Sequence, residues 1–113
     1  MANQSGIPTG EALKLASLIT TPESGIASRV LVRSAGGNVT LFAFDTGQEL
    51  SEHTTPFDAL VIVLDGALDL TIGSTRLSAI SGTVVLLPAN IPHAVQANTP
   101  SRMLLVMLRS QQT

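Results

Sequence analysis

The sequence predicts an all-β domain with a short helical turn near its N-terminal end. After residue 26 the chain consists of short segments rich in Val, Ile, Leu and Thr, which Gly, Pro, Asn or Asp separates about every ten residues. The pairs Gly36-Gly37, Asp65-Gly66 and Gly73-Ser74 are suited to tight hairpins. Many short antiparallel strands of this kind are typical of a sandwich, a barrel or a jelly roll.

The elements follow one another in a simple order. Residues 1–25 form an N-terminal segment, in which residues 11–19 (EALKLASLI) place their apolar side chains mostly on one helical face. This pattern predicts one or two turns of helix that begin near Thr9 and end at Thr20-Thr21-Pro22. Residues 26–113 form the β-barrel domain, with strands predicted at Ala27–Arg33, Asn38–Phe44, Phe57–Leu64, Ala67–Ile72, Thr75–Ala79, Thr83–Leu87, His93–Ala97 and Arg102–Leu108. A length of 113 residues fits a single domain.

The composition excludes several classes of function. The net charge is −2, the few basic residues are scattered, and the aromatic residues are three phenylalanines with no Tyr or Trp. Nucleic acid is therefore not an expected partner, because it requires a basic surface and usually aromatic stacking. The chain has no cysteine, which excludes thiol catalysis, disulfides and cysteine-based zinc sites.

The same composition argues against a membrane protein. The longest apolar runs, Ala59–Leu64 and Met103–Leu108, are far shorter than the ~20 residues that span a bilayer. The first ten residues have neither the basic nor the apolar region of a secretory signal. We therefore expect a cytoplasmic protein with no membrane partner.

Several predicted strands are apolar on both faces. In Phe57–Leu64 one face carries Ala59, Val61 and Val63, and the opposite face carries Leu60, Ile62 and Leu64. A strand whose outer face meets water should instead alternate apolar and polar residues. Only 12% of the residues are charged, about half the usual share. We therefore expect a homodimer, formed through an outer sheet face that includes some of Leu60, Ile62 and Leu64.

Two short motifs contain the two histidines of the chain. The first contains Gly47, His53 and Gly66, and the second contains Gly82, Pro88 and His93. With these spacings the chain resembles the cupins, a family of small jelly-roll barrels, over about residues 30–108. The resemblance implies a double-stranded β-helix, and it implies that the two histidines meet in the mouth of the barrel, where the family usually holds a metal ion.

The motifs depart from the family pattern at half of the usual metal ligands. Thr55 stands where the family has a second histidine, and Ala59 stands where it has a glutamate. A methyl group cannot bind a cation, and a threonine hydroxyl is a poor ligand for a transition metal. The resemblance therefore leaves His53 and His93 as the ligands of a divalent transition metal such as Zn, Ni, Fe, Cu or Mn.

A nearby carboxylate would supply a third ligand if it faced the interior of the barrel. Asp58 directly precedes the family's glutamate position, and Glu52 directly precedes His53. Because adjacent strand residues point to opposite faces, we expect both carboxylates to face outward unless a bulge intervenes. Gln48 and Glu49, in the loop that leads to His53, are less constrained and remain free to turn inward.

Two functions remain open at the level of sequence. In the first, a metal held by the two histidines acts on a small organic molecule, in an activity that the sequence leaves undetermined, enzymatic or not. In the second, the chain is a metal-free module that binds or senses a small-molecule ligand, and its histidines orient the ligand or hydrogen-bond to each other or to a water. In both cases the expected pocket-lining residues are Gln48, Thr55, Ala59, Val61 and Val95.

Overall fold

The computed structural model describes residues 6–109. Within this range the chain forms one 3₁₀ turn, Leu15–Ser17, and nine strands: β1 (Ile26–Ser34), β2 (Gly37–Phe44), β3 (Glu49–His53), β4 (Asp58–Asp65), β5 (Ala67–Ile72), β6 (Thr75–Ile80), β7 (Val84–Leu87), β8 (His93–Ala97) and β9 (Ser101–Leu108). The first five residues of the predicted N-terminal segment and the last four of the predicted barrel domain lie outside the described residues.

The strands form two antiparallel sheets. One sheet has the order β1-β2-β9-β4-β7 and the other has the order β3-β8-β5-β6. Consecutive strands such as β2 and β3, β4 and β5, or β6 and β7 lie in different sheets, so the chain crosses repeatedly from one sheet to the other. This is the jelly-roll arrangement. The predicted all-β, double-stranded β-helix is confirmed.

The helical turn predicted in the N-terminal segment is present, and it is shorter than residues 11–19. Only Leu15–Ser17 is helical, as a single 3₁₀ turn, and no side chain caps its start at Lys14. Leu15 and Leu18 are half-buried, whereas Leu13 is exposed. A short helix depends on packing a whole apolar face for its stability. This segment packs only part of that face, so the helix does not extend.

Strand β3 has no counterpart among the predicted strands. Its sequence, ELSEH, lacks apolar alternation, and all of its residues except Leu50 are exposed. The strand forms because it pairs with β8 at one edge of the four-stranded sheet. A β-bulge lies between Leu50 and His53, where the register shifts. The bulge has a direct effect on the candidate site described below.

The hydrophobic core lies between the two sheets. Val61 and Val63 of β4 and Leu68 and Leu70 of β5 are each no more than 1% exposed, and Phe44 of β2 is fully buried. Full burial of a side chain of this size contributes about 1.5–3 kcal/mol relative to exposure. Strand β4 alternates between buried and half-buried residues, as the two apolar faces of its sequence predict.

The outer faces of the two sheets differ in their chemistry. Across the five-stranded sheet, one row of cross-strand partners is entirely aliphatic: Val32, Val39, Val106, Leu60 and Leu86. Its two ends are open to solvent, since Val32 is 51% exposed and Leu86 is 55% exposed. Across the four-stranded sheet, an outward row is polar: Glu49, Gln96, Asp69 and Ser78. We call the surface around the aliphatic row the apolar outer face.

The N-terminal segment covers one end of the apolar outer face. Arg29 and Arg102 each donate through Nη1 to a backbone carbonyl within residues 16–18, at 3.1 and 3.0 Å. Their cross-strand partners in β2, Leu41 and Ala43, are fully buried. The remainder of the apolar outer face stays accessible. Among residues 6–109, no helix has both the length and the apolar character needed to span a bilayer.

Candidate functional site

The structure places the two histidines side by side. His53 at the end of β3 and His93 at the start of β8 are cross-strand partners. Their Nε2 atoms lie 3.2 Å apart, and the ring centroids are 4.4 Å apart with the planes inclined by 71°. His93 is buried, at 6% exposure, whereas His53 is exposed. The pair therefore lies where the interior between the sheets opens to solvent.

A turn before β8 directs His93 inward. Asn90 adopts a positive φ of 66°, a conformation that asparagine tolerates better than most residues. The N–H of Asn90 donates to the carbonyl of Thr55 at 2.7 Å, and the N–H of Gly73 donates to the carbonyl of Pro92 at 2.8 Å. These bonds join the turn to the β3–β4 connection and to the β5–β6 connection. The orientation of His93 is therefore set by the backbone around it.

Backbone carbonyls determine which nitrogen of each ring is free. Nδ1 of His53 lies 2.9 Å from the carbonyl oxygen of Ser51, and Nδ1 of His93 lies 3.2 Å from that of Ile91. A carbonyl oxygen only accepts hydrogen bonds, so each Nδ1 carries a proton and donates. In the neutral rings each Nε2 then carries a lone pair. Each Nε2 is thus the nitrogen left for a further partner, and the two Nε2 atoms face each other across 3.2 Å.

The environment of His93 favours its neutral form. Burial lowers the pKa of His93 below its ordinary value, and the positive charge of a protonated His53 lowers it further. The hydrogen bond to the carbonyl of Ile91 opposes this shift. Because burial is the largest of the three effects, His93 is neutral near pH 7. The neutral imidazole is also the form that binds a metal ion.

A cavity of about 210 Å³ adjoins the two rings. Apart from the histidines its walls are apolar, and they come from both sheets: Phe42, Leu50, Val61, Leu87, Val95, Met103 and Leu105. No charged side chain is among these lining residues. The cavity is therefore a hydrocarbon pocket with one polar end, formed by two ring nitrogens.

The predicted pocket residues divide into two groups. Val61 and Val95 line the cavity. Ala59 is buried in the core cluster, and the hydroxyl of Thr55 donates to the carbonyl of Phe57 at 3.2 Å. Gln48 lies in the β2–β3 connection, where its carbonyl accepts from the N–H of Ala97 at 2.9 Å. These three residues do not line the cavity.

Two of the neighbouring carboxylates, Asp58 and Glu49, face away from the histidine pair. Asp58 is exposed, and its Oδ1 accepts from the N–H of Ala89 at 2.8 Å, which confirms its predicted outward orientation. Glu49, which the sequence left free to turn inward, lines an outer groove of the four-stranded sheet with Asp69 and Arg76. Among residues 6–109, no three His, Cys, Asp or Glu side chains are close enough to share a metal ion. The histidines are the only strong ligands that the described chain brings together there.

The sequence did not indicate Leu50 as a lining residue, because no strand is predicted over Glu49–His53. Leu50 and His53 are three positions apart, so regular alternation would direct them to opposite faces. The extra residue of the β3 bulge brings both to the cavity. In Phe42, Met103 and Leu105 the sequence carries no signal that separates a cavity wall from ordinary packing.

The fold and the paired histidines define a small barrel of the cupin type. The family described as "Cupin_2: Cupin domain" matches residues 40–108. The chain is similar to a conserved protein of unknown function from Streptococcus pyogenes, with 31% identity, a TM-score of 0.89, and coverage of 99% of this chain and 98% of that one. The chain belongs to the cupin family.

Two further solved structures are similar. A cupin superfamily protein from Desulfitobacterium hafniense DCB-2 has 28% identity and a TM-score of 0.86, with coverage of 96% of this chain and 100% of that one. A cupin 2 conserved barrel domain protein from Leptotrichia buccalis has 35% identity and a TM-score of 0.82, with coverage of 86% of this chain and 47% of that one. A search of curated proteins finds no match.

Proposed function

We propose that this cupin binds one divalent transition metal ion through Nε2 of His53 and Nε2 of His93. The ion would present its remaining positions to a small molecule in the adjoining cavity. The observation that carries the proposal is the pair of facing Nε2 atoms, 3.2 Å apart, with both Nδ1 atoms directed at backbone carbonyls. Metal-binding histidines commonly donate their second ring N–H to a carbonyl or carboxylate in this way.

The spacing of the nitrogens fits a shared ion. Two nitrogens that bind one zinc ion at about 2.0–2.1 Å with a tetrahedral angle lie roughly 3.3 Å apart. The observed separation is 3.2 Å.

The donor set predicts an open and weak site. Catalytic zinc usually has three protein ligands, whereas this site offers two. The other positions would go to water or to a ligand in the cavity. When bound, the ion supplies a Lewis acid that polarises an oxygen of that ligand. The chain itself orients the two imidazoles and supplies the apolar walls against which the ligand packs.

The second candidate is a metal-free module that binds a small ligand. It is favoured by the small number of ligands near the histidines, since no third metal-binding side chain of residues 6–109 lies close enough. In this case one proton shared between the two Nε2 atoms takes the place of the cation. The two candidates differ in whether the protein takes up metal at all.

Metal analysis after incubation with zinc, nickel, iron or copper, on protein prepared without a histidine tag, separates the candidates. We expect about one ion per chain in the parent and loss of that ion in both His53→Ala and His93→Ala. Asp58→Asn is the matched control, because its carboxylate faces outward and binds the N–H of Ala89. A parent that takes up none of these metals would contradict the metal proposal and favour the second candidate.

We also propose that the protein is a homodimer. The support comes from the aliphatic row on the apolar outer face, which contrasts with the polar row on the other sheet. A second copy placed there would cover Val84 and Leu86, which are 59% and 55% exposed. Leu60 and Ile62, the outward residues of β4 in the sequence prediction, lie beside them in the register.

A further inference from the structure

The walls and the charge of the cavity restrict the kind of molecule that the site can hold. We infer that the ligand is a small monocarboxylate with a hydrocarbon body, rather than a sugar, a polyol or a diacid. This inference rests on the proposed metal site and adds the ligand class to it. Three features support it: the lack of a carboxylate beside the histidine pair among residues 6–109, the absence of polar partners along the walls, and the volume.

The charge at the histidine end favours an anionic head group. Two neutral imidazoles would leave both positive charges of a divalent ion uncompensated. No carboxylate of the described chain is close enough to join the histidines. The carboxylate of Asp58, at the start of β4, is turned outward. A charge is costly on the side where it meets apolar side chains instead of water, unless it is paired there. An anionic oxygen of the ligand would supply the pairing that the protein does not.

The walls reject additional polar groups. Apart from the histidines, every lining side chain is a hydrocarbon or the thioether of Met103. Within residues 6–109 every buried side-chain nitrogen or oxygen already has a hydrogen-bond partner. A ligand hydroxyl buried there would therefore lose its bonds to water without replacing them, a loss that weakens binding by roughly tenfold or more per group.

The volume limits the hydrocarbon body to a small size. An apolar cavity of about 150 Å³ in another protein accommodates benzene, which has six carbons. At that density the present cavity of about 210 Å³ accommodates roughly eight carbons. A linear acid of up to about eight carbons, or a single aromatic ring with a carboxylate, matches this limit.

A chain-length series tests the inference on the zinc-loaded protein. Calorimetric titration with acetate, butanoate, hexanoate, octanoate and decanoate should show affinity that rises about fourfold for each added methylene and levels off near octanoate. Hexanedioate is the matched comparison for hexanoate, because it has the same chain with a second carboxylate at its far end. It should bind no more tightly than acetate.

Two variants locate the effect in the cavity. Leu105→Phe narrows the cavity and should shift the levelling-off to shorter acids, whereas Leu104→Phe, on the opposite face of β9, should leave the series unchanged. Thermal melting establishes that each variant is folded.

The outcomes separate this inference from the proposed function. If the protein takes up zinc but its affinity for the acids does not depend on their chain length, the ligand class is overturned and the metal site stands. The same holds if hexanedioate binds as tightly as hexanoate. A chain-length series that is identical with and without zinc overturns the role of the metal in holding the head group. Absence of zinc uptake overturns both proposals.

Discussion

Replacement of Gly66 tests whether the hairpin between β4 and β5 has the close packing seen in the structure. Gly66 has a φ of +79°, and a Cβ built on it would lie 2.5 Å from the carbonyl oxygen of Pro100 and 2.8 Å from Cα of Ser101, besides meeting the hydroxyl of Ser101. That hydroxyl is buried and accepts from the N–H of Ala67 at 3.1 Å. Gly66→Ala must therefore displace Ser101 and its hydrogen bonds.

Gly82 provides the matched control. It has a φ of +86°, but a Cβ there would meet nothing within 4 Å. Gly82→Ala should cost only the backbone strain, about 1–2 kcal/mol. Gly66→Ala should cost that strain plus the lost hydrogen bonds and displaced backbone, for a total of about 3–5 kcal/mol.

Thermal unfolding of both variants at one fixed protein concentration measures the difference. At about 4 °C per kcal/mol for a domain of this size, we expect a loss of about 4–8 °C for Gly82→Ala and about 12–20 °C for Gly66→Ala. Equal losses in the two variants would refute the close approach of Ser101 to Gly66. The result also bears on the family resemblance, because both glycines belong to the motifs.

Two further predictions concern assembly and pH. Leu86→Glu places a charge on the apolar outer face and should convert the dimer to a monomer, measured by sedimentation at micromolar protein concentration. Ser78→Glu, on the outer face of the other sheet, should remain dimeric. A parent protein that sediments as a monomer would contradict the proposed dimer. Burial lowers the pKa of His93, so between that lowered pKa and about 6.5 the unfolded chain binds more protons than the folded one. The stability contributed by neutral His93 is thus complete above about pH 6.5 and declines as the pH falls towards the lowered pKa. The urea midpoint of the metal-free protein should fall from pH 7.5 to pH 5.5 by more than that of His93→Asn, and equal falls would contradict the shift.

Much of the fold follows from local pattern. The strand β4 was predictable because its sequence is a short run rich in Val, Ile and Leu that ends at the Asp65-Gly66 pair, and the turns around Gly66 and Gly73 have the residues that tight hairpins need. Strand β3 was not predictable, because its polar sequence becomes a strand only by pairing with β8. The helical pattern in residues 11–19 does give a helical turn, but only at Leu15–Ser17, because packing rather than propensity decides how far a short helix extends.

The site was predictable in its identity but not in its details. The motif spacing pointed to His53 and His93, and strand parity pointed to the outward orientation of Asp58. The bulge that brings Leu50 to the cavity has no signature in the sequence. The hydrogen bonds that leave both Nε2 atoms facing each other depend on backbone carbonyls, whose positions only the three-dimensional structure provides.

The most direct test of the metal proposal is ¹⁵N NMR of the imidazole nitrogens, because the chain has only two histidines. After addition of one equivalent of zinc at pH 7.5, both rings should carry the proton on Nδ1, and the Nε2 resonances of His53 and His93 should shift together with the same zinc dependence. A shift confined to one ring, or a ring that keeps its proton on Nε2 when zinc is present, would contradict a single ion shared by the two histidines.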